Sequence, residues 1–363
     1  MYNYNNKPIL VFYETTKACD LACKHCRASA IEARLPDEMT VDQSVNFVKS
    51  IRNFGKPYPI LILTGGDMLK KEGLEEILRT AYEYKIPVSA SPAATARLND
   101  ESFELLKKYN VLSISLSLDG LRETHNWLRG YDWVFDKTME AINTARNHKM
   151  PVQINTVVLK KNIMELPDIL KLLITNNIRV WEVFFLIKTG RSIDFEDLTP
   201  LEYEDVNHWL YYITSYNMTV RTVESPIFRR IADEKETYHG TSLYRELIRK
   251  THELLGLPDG KPHVHMEKTR DGKGIIFVSH NGDVYPSGFL PVVLGNVKRE
   301  SIVHIYQNND ILRRLRNPEN LEGLCGSCGY SDVCGGSRAR AYATFNDIFA
   351  EDPACINTYN FIK

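Results

Sequence analysis

Strand-like and helix-like segments alternate through the first half of this chain, and that alternation limits its fold more than any other feature. Residues 8–13, 59–63, 86–90, 111–118, 152–159 and 180–187 are short, apolar runs bounded by turn formers, so each reads as a strand. Between them, residues 40–54, 72–84, 101–108, 134–147 and 164–175 carry apolar side chains at helical spacing, as in Val41, Val45, Val48 and Ile51. Strand and helix alternating through six strands imply parallel strands joined by right-handed crossovers. Runs such as Ile60-Leu61-Ile62-Leu63 are apolar on both faces, as expected of strands covered by helices on one side and packed inward on the other. The pattern fits an α/β fold of the partial (β/α)6 TIM type. A closed barrel and an open doubly wound sheet satisfy the same pattern.

In barrels of parallel strands the chemistry gathers where strands end in loops at the C-terminal face. Several polar features fall there. The first strand runs directly into Cys19-Asp20-Leu21-Ala22-Cys23-Lys24-His25-Cys26. Gly65-Gly66-Asp67 follows the second, Ser89 and Ser91 end the third, and Ser115, Ser117 and Asp119 end the fourth. Asn155 and Thr156 lie in the fifth, and Lys188 follows the sixth. The three thiols of the loop can hold three corners of an iron–sulfur cube. A fully protein-ligated [4Fe–4S] cluster takes four thiolates, so three leave one iron open, as a catalytic metal site keeps a position for substrate. Zinc is the alternative, but it prefers four ligands in two pairs, and this trio has no fourth nearby.

The seven cysteines divide into these three and a second group, Cys325, Cys328, Cys334 and Cys355. In a reducing compartment such groups are metal ligands more often than disulfides, and an odd total argues against a full set of bridges. The net charge of −1 gives no electrostatic reason to expect nucleic acid or an acidic membrane as partner. No apolar run is long enough to span a bilayer, and no export signal is visible, so a cytoplasmic protein is expected.

The C-x3-C-x2-C spacing resembles the radical S-adenosylmethionine (radical SAM) enzymes, whose loop reads CxxxCxxC. The resemblance implies that the open iron binds the amine and carboxylate of SAM. It also implies that an electron from the cluster cleaves SAM to a 5′-deoxyadenosyl radical, which takes hydrogen from a substrate. The family's GGE turn holds the amino group of SAM through backbone groups; here Gly65 and Gly66 match it, and Asp67 stands for the glutamate. Two glycines after a strand permit close backbone approach. Ser117-Leu118-Asp119-Gly120 with Arg129 resembles a block in members bearing a C-terminal cluster domain, which implies Ser117 as a contact to the SAM ribose or carboxylate and Arg129 as a forked partner of the carboxylate. An ordinary helix cap and a surface arginine fit the same residues. Asn155 is a further ribose candidate. His25 fills a position often aromatic in the family and is expected to pack against adenine or the cluster. No residue is singled out as the catalytic acid, base or radical carrier.

Downstream, residues 201–214 read as a helix and 218–223 as a strand ending at Glu224, with Arg229 and Arg230 following. Such a group can grip an anionic substrate, or be a solvated helix start. His263 and His265 alternate as on a strand, which suits a ligand pair or an ordinary strand face. Residues 274–278 and 283–285 flank Asn281-Gly282, a strong hairpin signal that begins a small appended sheet and not another barrel unit.

The last cysteines, spaced C-x2-C-x5-C-x20-C, resemble the SPASM group of auxiliary-cluster domains. A complete SPASM domain holds two clusters. Here Ser287 stands where the hairpin thiol is expected, and Arg338 stands where a further thiol follows Cys334. The resemblance therefore implies one auxiliary [4Fe–4S] cluster on four cysteines, in a shortened, Twitch-like domain of β-hairpin plus helix. Structural zinc suits four thiolates with a CxxC pair as well. Arg338 and Arg340 are expected to lower the cluster's effective charge or to contact substrate carboxylates. Three segments are expected: 1–225, a partial barrel; 226–269, a bridge; 270–363, the auxiliary-cluster domain. The block from Cys334 to Ala341, with Asp352-Pro353 before Cys355, looks closest to members acting on tetrapyrroles, including those that decarboxylate porphyrin propionates. A maturase of a ribosomally made peptide and a non-catalytic iron–sulfur or zinc scaffold are the alternatives. A reductant such as ferredoxin or flavodoxin is the expected partner.

Overall fold

The computed structural model of the protein describes residues 3–234, 237–264 and 268–358. In chain order it begins β1 (Leu10–Glu14), α1 (Val41–Ser50), β2 (Ile60–Thr64), α2 (Leu74–Glu83), β3 (Val88–Ala90), α3 (Asp100–Lys108), β4 (Ile114–Ser117), α4 (Arg122–Arg129), α5 (Val134–Asn147), β5 (Val152–Val158), α6 (Leu166–Thr175) and β6 (Val180–Phe185). It continues with α7 (Pro200–Ile213), β7 (Thr219–Val223), α8 (Ile227–Glu234), α9 (Ser242–Leu255), β8 (Ile275–Val278), β9 (Asp283–Tyr285), β10 (Gly295–Asn296), α10 (Ile302–Asn308), α11 (Asp310–Arg316), α12 (Gly323–Ser327) and α13 (Arg338–Phe345). The chain divides into two compact units: residues up to Ser117 with Asn126–Val152 and Thr269–Arg316, and Leu118–His125 with Gln153–Lys268 and Asn317 onward.

The sheet of the first unit runs β10-β9-β8-β1-β2-β3-β4. Strands β8, β1, β2, β3 and β4 are parallel neighbours, and β8-β9-β10 turn back antiparallel. Along β2 every second residue is fully buried, Leu61 and Leu63, while Ile60, Ile62 and Thr64 on the opposite face are half-exposed. The same half-exposed face carries Ser89 of β3, Ser91 just after it, and Ser115 and Ser117 of β4, with Ser91 and Ser115 hydrogen-bonded at 2.5 Å. Small hydroxyl side chains leave that face open. The helices start where their sequences say: Thr40 Oγ1 accepts from Gln43 N while the Gln43 side chain accepts from Thr40 N, a capping box that satisfies two orphan amides of α1.

In the second unit β5, β6 and β7 are parallel neighbours. Trp181 of β6 and Trp209 of α7 meet edge to face at 6.0 Å, and each indole N–H finds a buried hydroxyl, Thr156 and Thr251. The opposite face of this sheet is polar. Gln153 Nε2 donates to Asn155 at 2.8 Å and to Glu182 at 3.0 Å, and Arg221 donates to Gln153. Helices α8 and α9, read from sequence as part of a bridge, pack against α7 and, for α9, α6.

Three local readings change. The strand expected over 111–118 shortens to β4, and a helix not expected there, α4, follows it. The hairpin was expected to begin a sheet of its own, but β8 lies parallel beside β1, pairing Leu10 with Ile275 and Tyr13 with Val278. Both strands are apolar enough to be buried from two sides, which an isolated hairpin cannot achieve. His263 is exposed and outside any strand, so the alternation with His265 has no strand to display it; His265 lies outside the described residues.

Candidate functional site

The cysteine loop leaves the C-terminal end of β1 and is held by backbone pairing. Cys19 N donates to Ile31 O at 2.7 Å, Ile31 N to Lys17 O at 3.0 Å, and Lys24 N to Leu128 O, at the end of α4, at 2.8 Å. Cys19, Cys23 and Cys26 share one apolar cluster with Leu21, Ala30 and Val134. Each sulfur has an N–H donor: Leu21 N on Cys19 at 3.4 Å, Ala30 N on Cys26 at 3.4 Å, and Arg129 Nη1 on Cys23 at 3.7 Å. Burial pushes the Cys19 thiol up to about 12, so the thiolate forms only when a cation compensates it. Three donor-supported sulfurs in an apolar wall fit an iron–sulfur cluster on these residues.

Gly65 and Gly66 meet the start of this loop. Gly66 N donates to Thr16 O and Asp67 N to Ala18 O, both at 2.7 Å. A Cβ on Gly65 would stand 2.6 Å from Thr16 O. The close approach expected of the two glycines is thus to the cysteine loop itself. The Asp67 carboxylate is fully buried and accepts from Leu69 N (3.1 Å), Ala93 N (3.3 Å) and Thr95 Oγ1 (3.1 Å). Burial raises its pKa, and these three bonds work against the rise. The first unit therefore brings the three cysteines, Gly65, Gly66, Asp67 and Arg129 together. Ser117 sits half-exposed at the end of β4, and Asn155 belongs to the polar face of the second unit.

Sequence reading missed a buried ion cluster beneath the loop. Arg27, directly after Cys26, lies 2.5 Å from Glu14 Oε2, and His280 Nδ1 lies 3.0 Å from Glu14 Oε1. The Arg27 guanidinium also stands over the Phe277 ring at 4.7 Å. Burial alone would raise the Glu14 carboxyl, but Arg27 and His280 more than offset it and hold it at about 2. A carboxylate closing an apolar strand was the available signal. Asp20, within the loop, is likewise paired with Lys70 and Arg97.

In the second unit Cys325, Cys328, Cys334 and Cys355 line one cavity of about 210 Å³. Asp352 N donates to Cys325 Sγ at 3.3 Å and Tyr330 N to Cys328 Sγ at 3.4 Å. Burial pushes the Cys334 thiol up to about 12. Four sulfurs with amide donors around a void fit a closed cluster site.

Arg338 and Arg340 were expected to lower the cluster's charge or to contact substrate carboxylates; both are buried, which favours the first. Arg340 approaches Asp352 at 3.4 Å, donates to Leu186 O at 3.3 Å, and lies over the Tyr203 ring at 4.6 Å. Nor is Arg230 free to grip an anion: it forks onto both oxygens of Glu204 at 2.6 Å and reaches Glu234 at 2.8 Å. Glu224 accepts from Ser337 Oγ at 2.5 Å.

Parallel strands ending at a three-thiol loop, with a separate four-thiol cavity, define an iron–sulfur enzyme built on a partial barrel. Residues 13–173 match the radical SAM superfamily, and residues 270–329 match the SPASM iron–sulfur cluster-binding domain. An AdoMet-dependent heme synthase of Methanosarcina barkeri is 34% identical over 358 residues, covering 98% of each chain. One of Nitratidesulfovibrio vulgaris is 31% identical, covering 95% of this chain and 91% of that one. The chain belongs to the radical SAM superfamily, as an enzyme of its SPASM-bearing branch. Among solved structures, Streptococcus suis SuiB bound to precursor peptide SuiA superposes with a TM-score of 0.72 at 15% identity, covering 97% of this chain and 76% of that one. anSMEcpe with bound AdoMet gives 0.69 at 17% identity, covering 98% and 100%. These likenesses show the fold: the α/β partial barrel with its C-terminal antiparallel region. The scaffold alternative falls with the family assignment. Among the described residues no helix is long and apolar enough to cross a membrane.

Proposed function

We propose that this radical SAM enzyme acts on a tetrapyrrole and oxidatively decarboxylates porphyrin propionates, as a haem synthase. The observation that carries the reading is the 34% identity to an AdoMet-dependent heme synthase across 98% of both chains. We assign Cys19, Cys23 and Cys26 to a [4Fe–4S] cluster with one open iron, and Cys325, Cys328, Cys334 and Cys355 to one auxiliary [4Fe–4S] cluster. The first supplies the electron that cleaves SAM to the 5′-deoxyadenosyl radical. A ferredoxin or flavodoxin is the reductant.

The remaining roles belong to the chain. Backbone groups of Gly65 and Gly66 receive the amino group of SAM, Arg129 brings positive charge for its carboxylate, and Ser117 offers a polar group to its ribose. Asp67 holds the turn, because three donors already engage its carboxylate. For each propionate, the side chain would give up one hydrogen atom to the radical, forming 5′-deoxyadenosine, then carbon dioxide, and one electron to the auxiliary cluster, leaving a vinyl group. The match of residues 270–329 to an iron–sulfur cluster-binding domain supports a cluster over zinc at these cysteines.

The test is anaerobic turnover with SAM, dithionite and iron coproporphyrin, followed by LC–MS. Conversion of propionates to vinyl groups with matching 5′-deoxyadenosine is expected. SAM cleavage without any change in the porphyrin would overturn the substrate. Modification of a peptide instead would favour maturation chemistry, toward which the 25% identity to mycofactocin maturases points.

A further inference from the structure

One guanidinium lines the four-cysteine cavity and another reaches one of its sulfurs, and their charges are handled differently. Arg230 lines the cavity, but Glu204 and Glu234 neutralise it. Arg338, at the start of α13, has 0% of its surface exposed. Its Nε donates to Gly336 O at 3.3 Å, and its Nη1 donates to Ile348 O at 3.3 Å and Ala350 O at 2.5 Å. Its Nη2 points at Cys325 Sγ, 3.6 Å away. Among the described residues it forms no ion pair with a carboxylate. Asp352, in the same wall, spends its oxygens on Ser337 N, Ala354 N and Arg340.

A guanidinium keeps its proton at any working pH. Buried without a counter-ion it costs several kcal/mol. Carbonyl dipoles cover three of its contacts, and the fourth is a sulfur of the cavity. Four thiolates around a metal group leave that group net negative, which is the charge Arg338 lacks a partner for.

We propose that Arg338 is the fixed counter-charge of the group held by Cys325, Cys328, Cys334 and Cys355, and that it holds that group's reduction potential up. Reduction adds an electron to an already anionic group, and a buried positive charge favours the reduced form. The proposal rests on the reading that these cysteines hold an iron–sulfur cluster. Arg338 acts here as a positioning residue, through Cys325 and not on substrate.

The experiment uses the full chain carrying Cys19→Ala, Cys23→Ala and Cys26→Ala, so that only the C-terminal cluster reports. Iron and labile sulfide are counted first; zinc in place of iron would sink the cluster reading by itself. The midpoint potential is then measured by EPR-monitored redox titration for this chain, for added Arg338→Met and for added Arg338→Lys. Arg338→Met should shift the reduced-to-oxidised ratio at fixed potential at least tenfold toward oxidised, a fall of about 59 mV for one electron. Arg338→Lys, which keeps the charge, should remain close to the parent. If Arg338→Met fails to retain iron while Arg338→Lys retains it, charge compensation is supported. An unchanged midpoint in Arg338→Met, or equal metal loss from both variants, overturns the proposal.

Discussion

A Cβ on Gly66 would stand 2.5 Å from the carbonyl oxygen of Ala18, inside any tolerable contact. The turn after β2 and the first bend of the cysteine loop are therefore built as one piece. Gly66→Ala should displace the loop backbone, at about 1–3 kcal/mol for overpacking a close contact. Reconstituted iron should fall from about eight to about four per chain, since only the four-cysteine site still assembles a cube. Iron analysis beside thermal unfolding checks this; full iron in a well-folded Gly66→Ala protein would contradict it.

Removing single thiols should separate the two sites. Cys23→Ala leaves two sulfurs on the loop and should abolish 5′-deoxyadenosine formation, while iron at the C-terminal site stays. Cys325→Ala should have the opposite profile, with SAM still cleaved in the absence of substrate. HPLC of 5′-deoxyadenosine with iron counts for both variants decides the matter, and residual reductive cleavage by Cys23→Ala would remove the loop from its assigned role.

The Glu14 carboxyl gives the first unit a pH dependence of known sign. Its folded pKa of about 2 lies below the unfolded value near 4.3. Its contribution is therefore complete above about pH 4.3 and is lost as pH falls toward 2. The ion cluster with Arg27 and His280 is worth on the order of 2–3 kcal/mol by this linkage. Urea unfolding from pH 6 down to pH 3 should show the chain losing more stability than Glu14→Gln, which starts lower and falls less steeply. Parallel curves would contradict the assignment.

Asp67 makes a contrasting prediction about the family's acidic position. Asp67→Ala strands three donors, Leu69 N, Ala93 N and Thr95 Oγ1, and should cost about 1–3 kcal/mol per buried group left unpaired. Denaturant midpoints should fall clearly. SAM affinity, measured by equilibrium dialysis on folded protein, should change by much less. A large loss of SAM binding at unchanged stability would make the carboxylate a ligand contact after all.

Periodicity and spacing alone carried much of this protein. Hydrophobic spacing located the strands, because burial of alternate residues such as Leu61 and Leu63 is a local property of a pleated chain. The bounds of α5 were legible to the residue for the same kind of reason. The two cysteine groups were legible because ligands on short loops need fixed spacing. Gly65 and Gly66 were legible because a close approach excludes side chains. α4 escaped because RETHNWLR has only Trp127 and Leu128 as apolar residues, side by side, and buries polar ones such as His125 and Asn126 instead.

What the tertiary structure alone decided is which charges meet. Glu14 and His280 are 266 positions apart in the chain, and their contact depends on β8 docking parallel to β1, which no local pattern encodes. Arg338 and Arg340 fit in sequence either the cluster or a substrate carboxylate, and folding buries both. A charge's role is set by the solvent and partners around it, and those are supplied by segments distant along the chain. The kinds of chemistry were therefore written in residue type and spacing, while the pairing of charges awaited packing.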